Sequence, residues 1–202
     1  MYGGAIYVQE DSENCTVRNS SFTGNHVTDF EEGLGGAICW LGPNALINNT
    51  NFTNSYTAYG GAVYVGPNSD NLTVINSSFN LSRAFKEGGS FVLLSDNARF
   101  ISSNFTNSLA MDEGGAIDAH GVTNLTIYDC LFDHDIGAGD VGSSGRIYGT
   151  GGALYLEDIT LVNISNSKFI HIESHGDGGA IYALNCNDSM LYNLTFDYGV
   201  SV

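Results

Sequence analysis

The sequence predicts an all-β fold, a right-handed, single-stranded parallel β-helix of about seven coils, and three observations predict it. A Gly-Gly pair followed by a small and an aliphatic residue recurs seven times, starting at Gly3, Gly35, Gly60, Gly88, Gly114, Gly151 and Gly178. A phenylalanine closes each copy 17 to 19 residues later, at Phe22, Phe52, Phe79, Phe105, Phe132, Phe169 and Phe196. Between them apolar residues alternate at period two, and no window carries a helical period. A unit of this length cannot bury its own apolar face, so neighbours must stack to make a continuous core. Residues 1–202 therefore read as one solenoid domain without a linker. At roughly 4.8 Å per coil it would be a rod about 34 Å long.

The opening strand comes first in each copy. Its fourth position holds Ile6, Ile38, Val63, Phe91, Ile117, Leu154 and Ile181, and its sixth is equally free of charge. Both point inward on the period-two rule. The third position, mostly Ala, and the fifth, with Tyr7, Tyr64, Asp118, Tyr155 and Tyr182, are expected to face outward. Asp118 interrupts that Tyr row alone.

The next column precedes each Phe by three residues: Asn19, Asn49, Asn76, Ser102, Asp129, Asn166 and Asn193. Asn tolerates the left-handed backbone of a bend. Stacked amides satisfy one another, so the column reads as an inward ladder at a corner. The Phe column reads as an internal aromatic stack.

From each Phe to the next Gly pair the spacing is 8 or 9 residues, except for 13 after Phe22 and 19 after Phe132. The insertions His26 to Leu34 and Asp133 to Thr150 should project from one edge, where binding residues commonly sit. The second contains Asp140 and Arg146, a candidate contact pair. The same edge carries Glu31, Glu32, Glu87, Asp112, Glu113 and Asp177. His134 and His171 each follow their Phe by two residues and should stack. With Asp133, Asp135, Glu173 and Asp177 they form a carboxylate–imidazole set that could hold a divalent cation such as Ca²⁺. Otherwise the edge is simply solvated, and no cofactor motif occurs.

The formal net charge of −16 excludes a nucleic-acid partner, which wants a basic stripe. It also disfavours a polyanionic substrate. No apolar run is long enough to span a membrane. Cys15, Cys39, Cys130 and Cys186 fall at different repeat positions, too far apart for bridges, so four free thiols are expected. Neither end looks like a polar cap, so the chain reads as a fragment of a longer solenoid, with flanking coils, signal and anchor elsewhere. Twelve Asn-x-Ser/Thr sequons occur. Asn51, Asn80 and Asn104, beside the Phe column, are the outward glycosylation candidates, whereas Asn19, Asn76 and Asn193 would be inaccessible inside.

The paired signals, Gly-Gly-Ala-Ile as at Gly35–Ile38 and Phe-x-x-Asn as at Phe22-Thr23-Gly24-Asn25, resemble the polymorphic outer membrane protein repeats of chlamydiae. The same repeats occur in adhesin-like proteins of methanogenic archaea, whose Asn-rich, acidic composition this chain also resembles. The second signal is complete only in the first copy; later copies put Ser, Asp or another residue at its fourth place. The resemblance implies a pectin-lyase-like solenoid serving adhesion or display at the cell surface, with cell-surface glycans or proteins as partners and no catalytic residues. Tyr7, Tyr64, Tyr155, Tyr182, Asp140 and Arg146 are then the candidate contacts. Two rivals stay open: a carbohydrate-active enzyme of pectate-lyase-like fold, and a spacer without a ligand. A lyase wants a basic residue beside carboxylates and a hydrolase wants a carboxylate pair. Arg18, Arg83, Lys86, Arg99, Arg146 and Lys168 sit in no acidic column.

Overall fold

A computed structural model describes residues 1–141 and 147–202. Among these the strands build four parallel sheets, stacked as a β-solenoid of about seven turns with no helix. Sheet one runs from Ile6–Val8 to Ile181–Leu184, one strand per coil. Sheet two runs from Thr16–Arg18 to Met190–Tyr192, and sheet three from Ser21–Thr23 to Thr195–Asp197. A fourth sheet of six two-residue strands, Tyr56–Thr57 to Val200–Ser201, lies between the Phe column and the next Gly pair. Register is strict: Phe79 pairs with Phe52 on one side and Phe105 on the other. The one antiparallel pair described, Asp140–Val141 with Ile147–Tyr148, lies in the second insertion.

The Gly pairs make the corner between sheets four and one. Gly35 takes φ +64°, a conformation that costs an L side chain about 1–2 kcal/mol. A Cβ on Gly36 would collide with the carbonyl of Gly61 and lie 2.8 Å from the backbone nitrogen of Tyr56. The second Gly thus lets its coil close against its own fourth-sheet strand.

The core follows the columns. Phe52, Phe79, Phe105 and Phe132 are buried and stack on their neighbours at 4.7 to 5.0 Å, nearly coplanar. Each buried ring contributes about 1.5–3 kcal/mol by leaving water, and stacked pairs about 0.5–1.5 kcal/mol more. The stack extends to Phe22, Phe169 and Phe196, the last of these 54% exposed. All four cysteines are free thiols. Burial pushes Cys39 and Cys130 up to about 12.

Two expectations about sides are corrected. The Ala column points into the core: Ala37, Ala62, Ala116 and Ala153 belong to the main apolar cluster, and Ser90 bonds Ser108 at 3.0 Å inside. The corner at the Gly pair interrupts the alternation, so it cannot be extended back to the third position. The Asn column lies outside. Its seven residues all take φ between +46° and +55°, as a bend requires, but the left-handed turn swings their side chains toward solvent. A ladder still forms there: Asn49 Nδ2 donates to Asn19 at 2.7 Å, Asn193 Nδ2 to Asn166 at 2.6 Å, and the Ser102 hydroxyl to Asp129 at 2.9 Å. Asn76 stands in the same exposed column. The inward residue is the next one, Thr50, Ser77, Ser103, Cys130 or Ser167, all buried or nearly so. Ser77, Ser103 and Ser167 accept the backbone N–H of their counterparts one coil earlier at 3.1 to 3.2 Å. With Asn19, Asn76 and Asn193 exposed, the argument that burial bars those sequons from modification falls.

Candidate functional site

Three outward columns meet on sheet one. The middle is the fifth strand position, in which Val92, Asp118 and Tyr155 are register partners. Two residues later, His120 pairs with Glu157. On the other flank stand the residues just before each Gly pair, among them Leu34, Tyr59, Glu87 and Glu113. These flanks wall in the middle column, which is why Cys39, Val92, Asp118 and Tyr155 are buried on an outer face.

Consecutive coils thereby bring together Glu87, Glu113, Asp118, His120 and Glu157. Asp118 is fully buried, and its Oδ1 lies 2.7 Å from His120 Nε2. The contact is an ion pair. His120 Nε2 lies 3.9 Å from Glu113 and its Nδ1 lies 3.1 Å from Glu157 Oε2. The Tyr155 hydroxyl donates to the same Glu157 oxygen at 3.1 Å. One ligating atom each from Glu87, Asp118 and His120 lie within 4.8 Å of one another.

Charge crowding tunes these groups. Burial, then the neighbouring charge of Asp118, pushes Glu87 up to about 7. Burial pushes Asp118 to about 6 even though His120 pulls it down. Burial works against the charged form of His120, but the contact with Asp118 and the charges of Asp118, Glu87 and Glu113 outweigh it and hold the imidazolium to about 9. The site at neutral pH is one imidazolium held among several carboxyl groups. Beside it, Leu34, Tyr59, Tyr64, Glu87, Val92 and Leu94 line a shallow depression of about 180 Å³.

The tyrosine candidates are spread along this face. Tyr7 is 43% exposed, Tyr64 walls the depression, and Tyr155 stacks on Tyr182 at 5.2 Å. Tyr155 is itself buried, so it is a supporting group and not an open platform. Arg146 lies outside the described residues, and Asp140 is described only by its backbone pairing with Tyr148.

The carboxylate–imidazole set expected at the second insertion divides. Asp133, His134 and His171 do converge, with His134 Nδ1 2.7 Å and His171 Nδ1 3.4 Å from Asp133 Oδ1, and the two rings stack at 4.5 Å. Asp135 leaves the set, because its fully buried side chain turns inward and accepts the Ser108 N–H at 2.8 Å. Glu173 is engaged by His175 at 2.8 Å, and Asp177 lies away at the Gly178 bend. Of the acidic edge, Glu31 pairs with Lys86 at 3.4 Å, while Glu87 and Glu113 turn onto sheet one.

Asp118 is therefore not alone. The sequence signal that would have found its partners was one column further on. His120 and Glu157 occupy the seventh strand position in adjacent copies, and Glu87 and Glu113 share the position before the Gly pair.

The fold and this face define a β-solenoid that carries a sheltered carboxylate–imidazole cluster. No family model matches the chain significantly, and neither does any curated protein or solved structure.

Proposed function

We propose that this chain is a segment of a surface-exposed, adhesin-like β-helix protein that binds cell-surface glycans or proteins through the outer face of sheet one. The observation that carries this reading is the depression beside Glu87, where Tyr59 and Tyr64 stand next to a carboxyl group. Sugar rings present apolar faces that stack on tyrosine and hydroxyls that a carboxylate accepts from. Binding sites of this kind combine apolar walls with a few convergent polar groups. The acidic surroundings favour neutral or amino sugars over acidic ones, since like charges repel. The likeness of the repeats to surface-protein repeats, and the extracellular location that goes with it, belong to the same proposal.

A glycan array with the isolated chain tests it. Binding to neutral or amino glycans, lost in Tyr64→Ala and kept in His134→Ala, is expected. No binding to any glycan or cell surface would leave a spacer.

One observation favours a second reading, carbohydrate hydrolysis: Glu87 and Asp118 are a carboxyl pair in a single cluster. Against it, Asp118 is fully buried and offers no open oxygen to a substrate. Release of reducing ends from a polysaccharide panel, abolished in Glu87→Gln, would favour the enzyme.

A further inference from the structure

We propose that Glu87, Asp118 and His120 form a binding site for one divalent transition-metal ion of the zinc type. The geometry comes first. Two atoms bound to a common ion at about 2.0–2.4 Å lie at most about 4–5 Å apart, and these three lie within 4.8 Å of one another. Asp118 and His120 share one strand, Ile117–His120, and Glu87 stands before the Gly pair one coil earlier.

A second observation is independent of that clustering. Asp118 Oδ2, on a fully buried side chain, has no hydrogen-bond partner, although such atoms nearly always have one, and Asp118 Oδ1 meets only His120 Nε2.

The third observation fixes the metal class. His120 Nδ1 faces Glu157 Oε2 at 3.1 Å, and Glu157 is held in turn by the Tyr155 hydroxyl. A histidine that ligates through one nitrogen characteristically gives its other N–H to a carboxylate, which sets the tautomer and raises ligand basicity. Glu157 is placed for that role and leaves Nε2 for the ion. An imidazole with carboxylates selects a zinc-type ion over Ca²⁺, which takes oxygen ligands alone. The exposed Asp133–His134–His171 group offers similar atoms but no buried, unpartnered polar side chain aimed into it.

Isothermal titration of the tag-free, chelator-treated chain with Zn²⁺, beside Ca²⁺ as a control, tests this without any glycan present. One Zn²⁺ per chain is expected, with a Tm rise of several degrees in saturating zinc. Asp118→Asn and His120→Gln should each abolish the titration, and Glu157→Gln, a positioning variant, should weaken it about tenfold. The double variant His134→Gln/His171→Gln should bind like the parent. Circular dichroism identical to that of the parent shows that each variant folds. No zinc binding, Ca²⁺ binding as tight as Zn²⁺, or binding lost only in the His134/His171 variant would overturn the proposal. Glycan-array binding by Asp118→Asn would separate failure of this site from failure of the adhesion reading.

Discussion

Two histidine–carboxylate groups on this solenoid are built alike and surrounded differently. Each joins a His on one coil to a carboxylate on its neighbour: His120 to Glu157 at 3.1 Å, His171 to Asp133 at 3.4 Å. Each adds a short contact within one coil, 2.7 Å in both cases. The difference is shelter. His120 is 27% exposed and its Asp118 entirely covered, whereas His134 and His171 are 57% and 45% exposed. Flanking columns wall the first group in; the second follows the Phe column at the left-handed residues His134 and His171, where side chains swing into water. The same residue types are thus a sheltered cluster in one place and a solvated group in the other. The axial repeat supplies proximity in both, and burial, which weakens solvent screening, is added only at the first.

The largest effect is expected from severing the sheltered pair. His120→Ala at pH 8 leaves Asp118 buried without its cation. It should cost about 2–3 kcal/mol, below the roughly 3–5 kcal/mol of a fully buried severed pair because His120 is partly wetted. Urea unfolding measures it.

A third carboxylate sharpens the comparison. Asp135 is as buried as Asp118 but faces a backbone N–H and no imidazolium. Burial pushes it up to about 8, against about 6 for Asp118. Its folded-state value lies above the unfolded one, so the folded chain binds the extra proton. That contribution to stability is fully present below about pH 4 and is lost as pH rises through about 8. Asp135→Asn should therefore flatten the decline of Tm between pH 5 and 9, by several degrees, with Asp133 the nearest charge left unchanged. An unaltered pH profile would show that Asp135 is charged and hydrated.

The smallest effect belongs to the exposed group. His134→Ala should change stability by less than about 1 kcal/mol, as for surface ion pairs generally.

Much of this fold was legible in the sequence because it is written in axial columns. The Phe stack, the strand positions four and six, the stacking of His134 on His171 and the left-handed Asn corner all follow from aligning seven copies. What failed was the side of the chain on which a column lies, wherever a left-handed residue breaks the period-two rule. The Ala column went in and the Asn column went out for that reason. Asp118 could be seen but its cluster could not, because Glu87 and Glu113 precede the Gly-Gly corner and period two cannot be carried across a corner. Asp135 shows the same limit: nothing local distinguishes it from the outward Asp133, two residues away on the same face by simple alternation.

The most direct test of shelter as the deciding variable is a pair of double-mutant cycles, His120 with Glu157 and His171 with Asp133, each residue changed to Ala and unfolding followed at pH 7. The account predicts a coupling of about 1 kcal/mol or more across the first pair and less than about 0.5 kcal/mol across the second. Equal couplings, or the larger value at the exposed pair, would contradict it.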